Sequence, residues 1–172
     1  SVDKAIDCLN SGADKIILNS TIRKDSDAVS AIINRLGSQS VVASIDYKSK
    51  DGRQMLYDWE TKEIIDDQDL GATITECHDL SFGEILLNSV QKDGTGFGFD
   101  IEIIQKISYL CKLPLIVMGG AGKSDHFSPA FKIPIVDAVA TANLLNFIGD
   151  SIPKTRKNLL DEGVDLARFK KK

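Results

Sequence analysis

Short apolar runs alternate with segments of helical period along the whole chain, and this alternation constrains the fold more than any single motif. Lys15–Ser20, Ser40–Asp46, Glu84–Val90, Pro114–Met118 and Val136–Thr141 are bounded runs of the kind that form buried strands. Between them, Ala28, Val29, Ile32, Ile33 and Leu36 recur at helical spacing before Gly37, and Ile101, Ile104, Ile107 and Leu110 do the same. Asp69–Leu80 predicts a weaker helix that contains Thr73 and Thr75, Ser124–Phe131 a short one, and 143–147 follows the last strand run. Ile152–Glu162 carries Pro153 in its first turn and Gly163 as its stop. The polar turn Ser49–Arg53 leads into Gln54–Trp59 and Lys62–Asp66, which predict a small hairpin inserted in one connection, in the position of a lid.

Strand followed by helix, five times over, means βαβ units and a parallel sheet covered on both faces. Two architectures compete. A doubly wound sheet accommodates five units, whereas a TIM barrel needs eight in roughly 250 residues. The chain opens on Val2, Ala5, Ile6 and Leu9 at helical spacing, with Gly12 as the stop and no strand before it. That opening favours an α/β fold of the TIM (β/α)8 type truncated at its N-terminus, with residues 1–172 as the C-terminal part of a single barrel domain.

Polar or glycine residues close every strand run, which is where barrel active sites lie. They are Asn19 and Ser20, Asp46, Asn88 and Ser89 with Asp93, Gly94 and Thr95, then Gly119 and Gly120, and finally Ala142 and Asn143. The stretch Asp93–Asp100 holds three glycines in five positions, and Asp100 is placed to cap the next helix. A strand, a glycine loop and a helix N-terminus make an anion site, although the same glycines also suit a plain βα turn. Asp46 is the leading acid–base candidate, set against a capping or salt-bridge aspartate. Asp93, before glycine, suits a turn. Lys15 and Glu84 open two strands at the opposite end, where they either pair or face solvent. His78 and His126 fall in helical segments and read as surface or packing residues.

Charge and composition narrow the function classes. A net charge of −4 argues against nucleic acid and anionic membrane, and Lys170–Lys172 reads as a solvated tail. No apolar run approaches the roughly 20 residues of a membrane span. Cys8, Cys77 and Cys111 lack metal-type spacing and suit reduced, largely buried thiols of a cytoplasmic protein. Gly122-Lys123-Ser124 is no P-loop, because Val117 stands where the pattern needs glycine. Neither metal nor cofactor is expected.

Residues 12–15 (Gly-Ala-Asp-Lys), 37–46 ending in Ile45-Asp46, 83–95 ending in Asp93-Gly94-Thr95, and 119–123 with His126 and Phe127 after them resemble the cyclase subunit of imidazole glycerol phosphate synthase. That family is a TIM barrel that closes the imidazole ring of histidine biosynthesis. Ammonia reaches it through the barrel from a partner glutaminase, and an aminoimidazole carboxamide ribonucleotide is released. The resemblance implies a bis-phosphorylated substrate. It makes Asp46 a general acid or base and Asp93 a substrate contact beside a phosphate loop of Gly94 and Thr95. It makes Asn19 and Ser20 a phosphate-binding pair, with Gly119, Gly120, Ala142 and Asn143 completing the cradle. Lys15 and Glu84 match the charged gate at the ammonia entrance, and Asp14 the glutaminase interface. The family's other catalytic aspartate, on a first strand, is expected to lie outside these residues.

Three rim positions depart from the synthase pattern. Asn88 stands in place of threonine, and Met118 and Asn143 each stand in place of serine. A related branch, found with surface-polysaccharide genes, feeds ammonia to a sugar-modifying amidotransferase, and Asn88-Ser89 resembles it more closely. Cyclase and ammonia conduit are therefore both open, as is a half-barrel that dimerises through exposed strand edges.

Overall fold

The computed structural model describes residues 1–142 and 151–167. Asn143, the run 143–147 and the lysines at 170–172 lie outside the described residues. The helices are α1 Val2–Asn10, α2 Ser20–Lys24, α3 Ser26–Leu36, α4 Leu70–Asp79, α5 Ile101–Ser108, α6 Phe127–Phe131 and α7 Ser151–Asp161. The strands are β1 Ile16–Leu18, β2 Val41–Lys50, β3 Arg53–Asp58, β4 Glu63–Asp69, β5 Glu84–Ser89, β6 Leu115–Met118 and β7 Val136–Val139.

Five of the strands are parallel neighbours in the order β1-β2-β5-β6-β7, and helices lie between successive ones, with β3 and β4 preceding the helix after β2. This is the strand–helix order of a TIM-type α/β fold. Among the described residues β1 pairs only with β2 and β7 only with β6. Side chains alternate across the pleat. On one face Ala43, Ile45, Tyr47, Ile85, Leu87, Leu115 and Val117 are buried in a single cluster with Val29, Ile33, Ile74, Ile104 and Ile107 of the helices. The other face carries Lys15, Val42, Ser44, Asp46, Glu84, Leu86, Asn88 and Met118, in register from strand to strand.

β2 is longer than its apolar run predicts. One edge is shared: Val41–Ala43 pair with β1, and Tyr47–Lys50 turn to β3 through Asp51 and Gly52. Both turn residues have positive φ, 50° and 78°, the two-residue loop whose twist matches a hairpin. The expected hairpin forms as β3 and β4, inserted between β2 and α4, and it continues the sheet antiparallel from β2. The Asp51-Gly52 pair marks the turn from β2 to β3, and the β3–β4 turn lies at 59–62.

Aspartates start α3 and α4. Asp25 Oδ1 accepts from the Ala28 amide at 2.9 Å, and Asp69 Oδ1 from the Gly71 amide at 2.8 Å. Asp100 departs from expectation, because its side chain makes no cap bond to α5. Its carboxylate faces the Tyr47 phenol instead, and a buried phenol needs a partner. Burial pushes that phenol far up, Asp100 adds to the effect, and the nearby Ser89 hydroxyl opposes it.

The cysteines are all free, but only two are buried. Cys77 is pushed up to about 12 by burial, with Glu76 and Cys111 adding to it, and burial also raises Cys111. Cys8 is exposed on α1, where Ala5 is the buried position, so the expectation of largely buried thiols fails for it.

Candidate functional site

Two neighbouring strands put a carboxylate between two carboxamides. Asp46 on β2 and Asn88 on β5 are in register, and Asn88 Nδ2 donates to Asp46 Oδ1 at 2.8 Å. Asn19 follows β1 directly, and its Nδ2 donates to Asp46 Oδ2 at 2.6 Å and to Ser44 Oγ at 3.3 Å. Asp46 and Asn88 are each only 7% exposed. Both carboxylate oxygens thus accept, the arrangement suited to an ionised acid, which has no proton to donate. The carboxylate borders a narrow cleft that Asn19, Ser20, Ser44, Arg23 and Glu76 also line.

A second, smaller cleft lies at the ends of β6 and β7. Asp93, Gly94, Met118, Gly119, Gly120, Thr141 and Ala142 line it. Gly119 and Gly120 have φ of 96° and 101°, a region that side-chain-bearing residues rarely adopt. A Cβ on Gly119 would lie 2.5 Å from the Ser89 carbonyl oxygen, and one on Gly120 would lie 2.2 Å from that of Gly98. The glycines therefore let two loops meet backbone to backbone, which leaves amide groups and little side-chain bulk around the cleft. His126 backs this contact. Its Nδ1 accepts from the Gly122 amide at 3.1 Å, and its ring packs where a side chain on Gly98 would go. Burial lowers the His126 pKa, Lys123 lowers it further, and Asp125 acts in the opposite direction.

At the other end of the same sheet face, Lys15 is ion-paired with Glu84, both partly exposed. From Glu84 to Asn88 along β5 is four residues, or about 13 Å at the usual strand rise. Asp14, just before Lys15, is exposed.

The hairpin is tied to the rim. Asp58, 6% exposed, pairs with Arg23 and accepts from the Glu60 amide at 2.8 Å and the Thr61 amide at 3.4 Å. Lys24 pairs with Glu60 alongside. The Glu60 amide chiefly, and Arg23 and Thr61 with it, hold the Asp58 carboxyl below its ordinary range against the opposing effect of desolvation. This latch fixes α2, and with it Asn19 at the helix N-terminus.

The expected site residues therefore fall into two groups. Asn19, Ser20 and Asp46 surround the first cleft, whereas Asp93, Gly94, Gly119, Gly120 and Ala142 line the second. Asn88 lines neither cleft; it donates to Asp46 and packs against Gly119. Thr95 turns into its own loop, where its hydroxyl donates to the Lys92 carbonyl at 2.7 Å. Asn143 lies outside the described residues. Arg23 and Asp58 escaped sequence reading, because a charge pair 35 residues apart leaves no local signal. His126 lies in a short helical turn, as expected, and its ring reaches back to the glycine loop after β6 through the Gly122 amide. His78 is a packing residue, accepting from the Lys112 amide at 3.1 Å.

The family described as histidine biosynthesis protein matches residues 1–149. The chain belongs to that family. Its similarity to individual relatives covers most of this chain and part of each relative. It is 35% identical over 164 residues to the imidazole glycerol phosphate synthase subunit HisF of Chlorobium limicola, covering 95% of this chain and 65% of the relative. It is 32% identical over 169 residues to the HisF of Cytophaga hutchinsonii, covering 98% of this chain and 66% of the relative. A protein of Parasynechococcus marenigrum named a putative subunit hisF2 is 38% identical over 165 residues, covering 92% of this chain and 59% of the relative. The chain thus spans just under two thirds of the length of curated relatives in the histidine biosynthesis family. No helix among the described residues is long and apolar enough to cross a membrane.

Proposed function

We propose that the protein is the cyclase subunit of an imidazole glycerol phosphate synthase and that residues 1–172 form the C-terminal part of its barrel. One observation carries this reading: a single sheet face holds the Lys15–Glu84 pair at one end and the Asn19–Asp46–Asn88 cluster at the other, beside a glycine-lined cleft. The strand ends and the glycine backbone suit a phosphorylated ligand. Gly119, Gly120, Gly94 and Ala142 cradle one phosphate, with Asp93 at its lip. Ser20, at the start of α2, and Asn19 serve the other end of a bis-phosphorylated substrate. Asp46 gives and takes the proton of ring closure, as a carboxylate held in fixed geometry within hydrogen-bond reach of the reacting atoms can do. Lys15 and Glu84 gate ammonia arriving from a glutaminase subunit that docks around Asp14. The products are imidazole glycerol phosphate and an aminoimidazole carboxamide ribonucleotide.

A second reading has its own support. Asn88 stands where the synthase pattern has threonine, and it is bonded directly to Asp46. That difference favours a conduit subunit, which passes ammonia from a glutaminase to a sugar amidotransferase in surface-polysaccharide synthesis. The full-length protein, supplied with the histidine precursor and either ammonium salt or its glutaminase, decides between them. Formation of imidazole glycerol phosphate is expected. A folded protein without turnover under both nitrogen sources would overturn the cyclase reading in favour of the conduit.

A further inference from the structure

One edge of β2 is used twice, with a gap between. β1 is in register with Val41, Val42 and Ala43, and β3 takes up the same edge only from Tyr47 onward. Ser44, Ile45 and Asp46 are in register with no residue on that edge, although β5 pairs with all three on the other. The chain forks there. α2 leaves on one side and the hairpin on the other, and two ion pairs, Arg23–Asp58 and Lys24–Glu60, tie one arm to the other.

The first cleft occupies this fork and passes between the two faces of the sheet. Asn19, Ser44 and Asp46 line it from the face that carries the carboxamide cluster. Ile45, with Thr73 and Glu76 of α4, lines it from the face that packs on the helices. Asp46 is buried whereas Glu76 is exposed, so the helix-side mouth lies at Glu76. An unpaired strand edge leaves backbone groups that need other partners. The side chains around it are open as well. Asn19 Oδ1 accepts no hydrogen bond among the described residues, and the Ser44 hydroxyl accepts from Asn19 Nδ2 at 3.3 Å but donates to none. Thr73 Oγ1 gives its hydrogen to the Asp69 carbonyl at 3.2 Å and keeps an acceptor position. A donor beside two acceptors, in a space only as wide as water, suits a small molecule that both donates and accepts.

We propose that the fork between β1 and β3 is a side port that binds such a molecule, water or ammonia, and leads from solvent at Glu76 to the Asn19–Asp46 pair. The inference stands on strand register and cleft lining and does not need the reaction proposed above. A phosphate is too wide for the fork, so a phosphorylated ligand reaches Asn19 and Ser20 from the other face, and the large and the small molecule have separate entrances. The port is also distinct from the Lys15–Glu84 pair, which lies at the opposite end of the strands.

Solvent exchange of the Asn19 side-chain amide tests the port in the full-length protein. Its Nδ2 hydrogens are followed by NMR in the wild type and in two variants. Thr73→Leu fills the fork, and Glu76→Trp covers its mouth from an exposed position and serves if the leucine variant does not fold. Exchange is expected to slow several-fold in either variant, while the Asn88 side-chain amide, outside the cleft, keeps its rate. A crystal structure of the wild type is expected to hold a water-sized molecule within hydrogen-bond distance of Asn19 Oδ1 and Ser44 Oγ. Titration with ammonium chloride against sodium chloride then names it. A shift of the Asn19 amide with ammonium alone identifies ammonia or its ammonium form, no difference identifies water, and either upholds the site. Equal exchange in wild type and variants, or no molecule at these two oxygens in the crystal, overturns the proposal, whatever the enzyme turns over.

Discussion

The amide of Gly98 donates to the carbonyl of Gly120 at 2.7 Å, and a Cβ on Gly120 would fall 2.2 Å from the Gly98 carbonyl oxygen. The two glycine loops can meet only because neither carries a side chain there. Gly120→Ala has backbone on the other side of the clash and nothing flexible to give way. It should destabilise the protein by about 1–3 kcal/mol and weaken sulfate binding in the same step. Denaturant unfolding and sulfate titration of the variant check both.

Asp46→Asn preserves shape but offers one acceptor oxygen where two Nδ2 donors converge. The carboxamide left without an acceptor costs about 1–3 kcal/mol of stability. If Asp46 moves the proton of ring closure, kcat falls by about 10²–10⁴-fold while KM changes much less. Turnover at saturating substrate separates this from a folding defect, because the urea midpoint reports stability independently.

The His126 contact predicts a pH dependence at the rim. Nδ1 can accept from the Gly122 amide only while it carries no proton. The folded-state pKa lies below the ordinary 6.5, so the unfolded chain takes the proton first. Stability from this group is complete above 6.5 and is lost as pH falls below it toward the folded value. Amide exchange at Gly122, corrected for intrinsic rate, should accelerate over that interval, and His126→Phe should abolish the dependence.

The latch between Arg23 and Asp58 opens at lower pH. The Asp58 carboxyl sits below its usual 3.8, so its contribution is present above 3.8 and is lost as pH falls through the folded value. Asp58→Asn should mimic this at neutral pH. Exchange protection at the Glu60 and Thr61 amides is expected to drop several-fold, with the parallel strands unaffected.

Lys15 and Glu84 are partly exposed, so their pairing adds little to stability. Glu84→Gln should move unfolding by less than about 1 kcal/mol. A change in ammonia-dependent turnover without a change in Tm would place the pair in function, and a large fall in Tm would assign it a structural role.

The strand–helix alternation was legible in the sequence because parallel strands are apolar on both faces and helices are apolar on one. Apolar periodicity is a local property, and Val2–Asn10, Ser26–Leu36, Leu70–Asp79 and Glu84–Ser89 all lie where it put them. The rim residues were equally visible as polar or glycine stops at strand ends. Their grouping was not. Register between β2 and β5 sets Asn88 against Asp46, and register is a pairing between distant segments. Asp100 shows the same limit from the other side: its sequence context offered a helix cap, and a buried phenol 53 residues away took its carboxylate instead. The amino-acid order alone thus determined which residues stand at the mouth of the fold. Only the tertiary structure decided which of them touch, because hydrogen bonds between strands depend on geometry that no single segment contains.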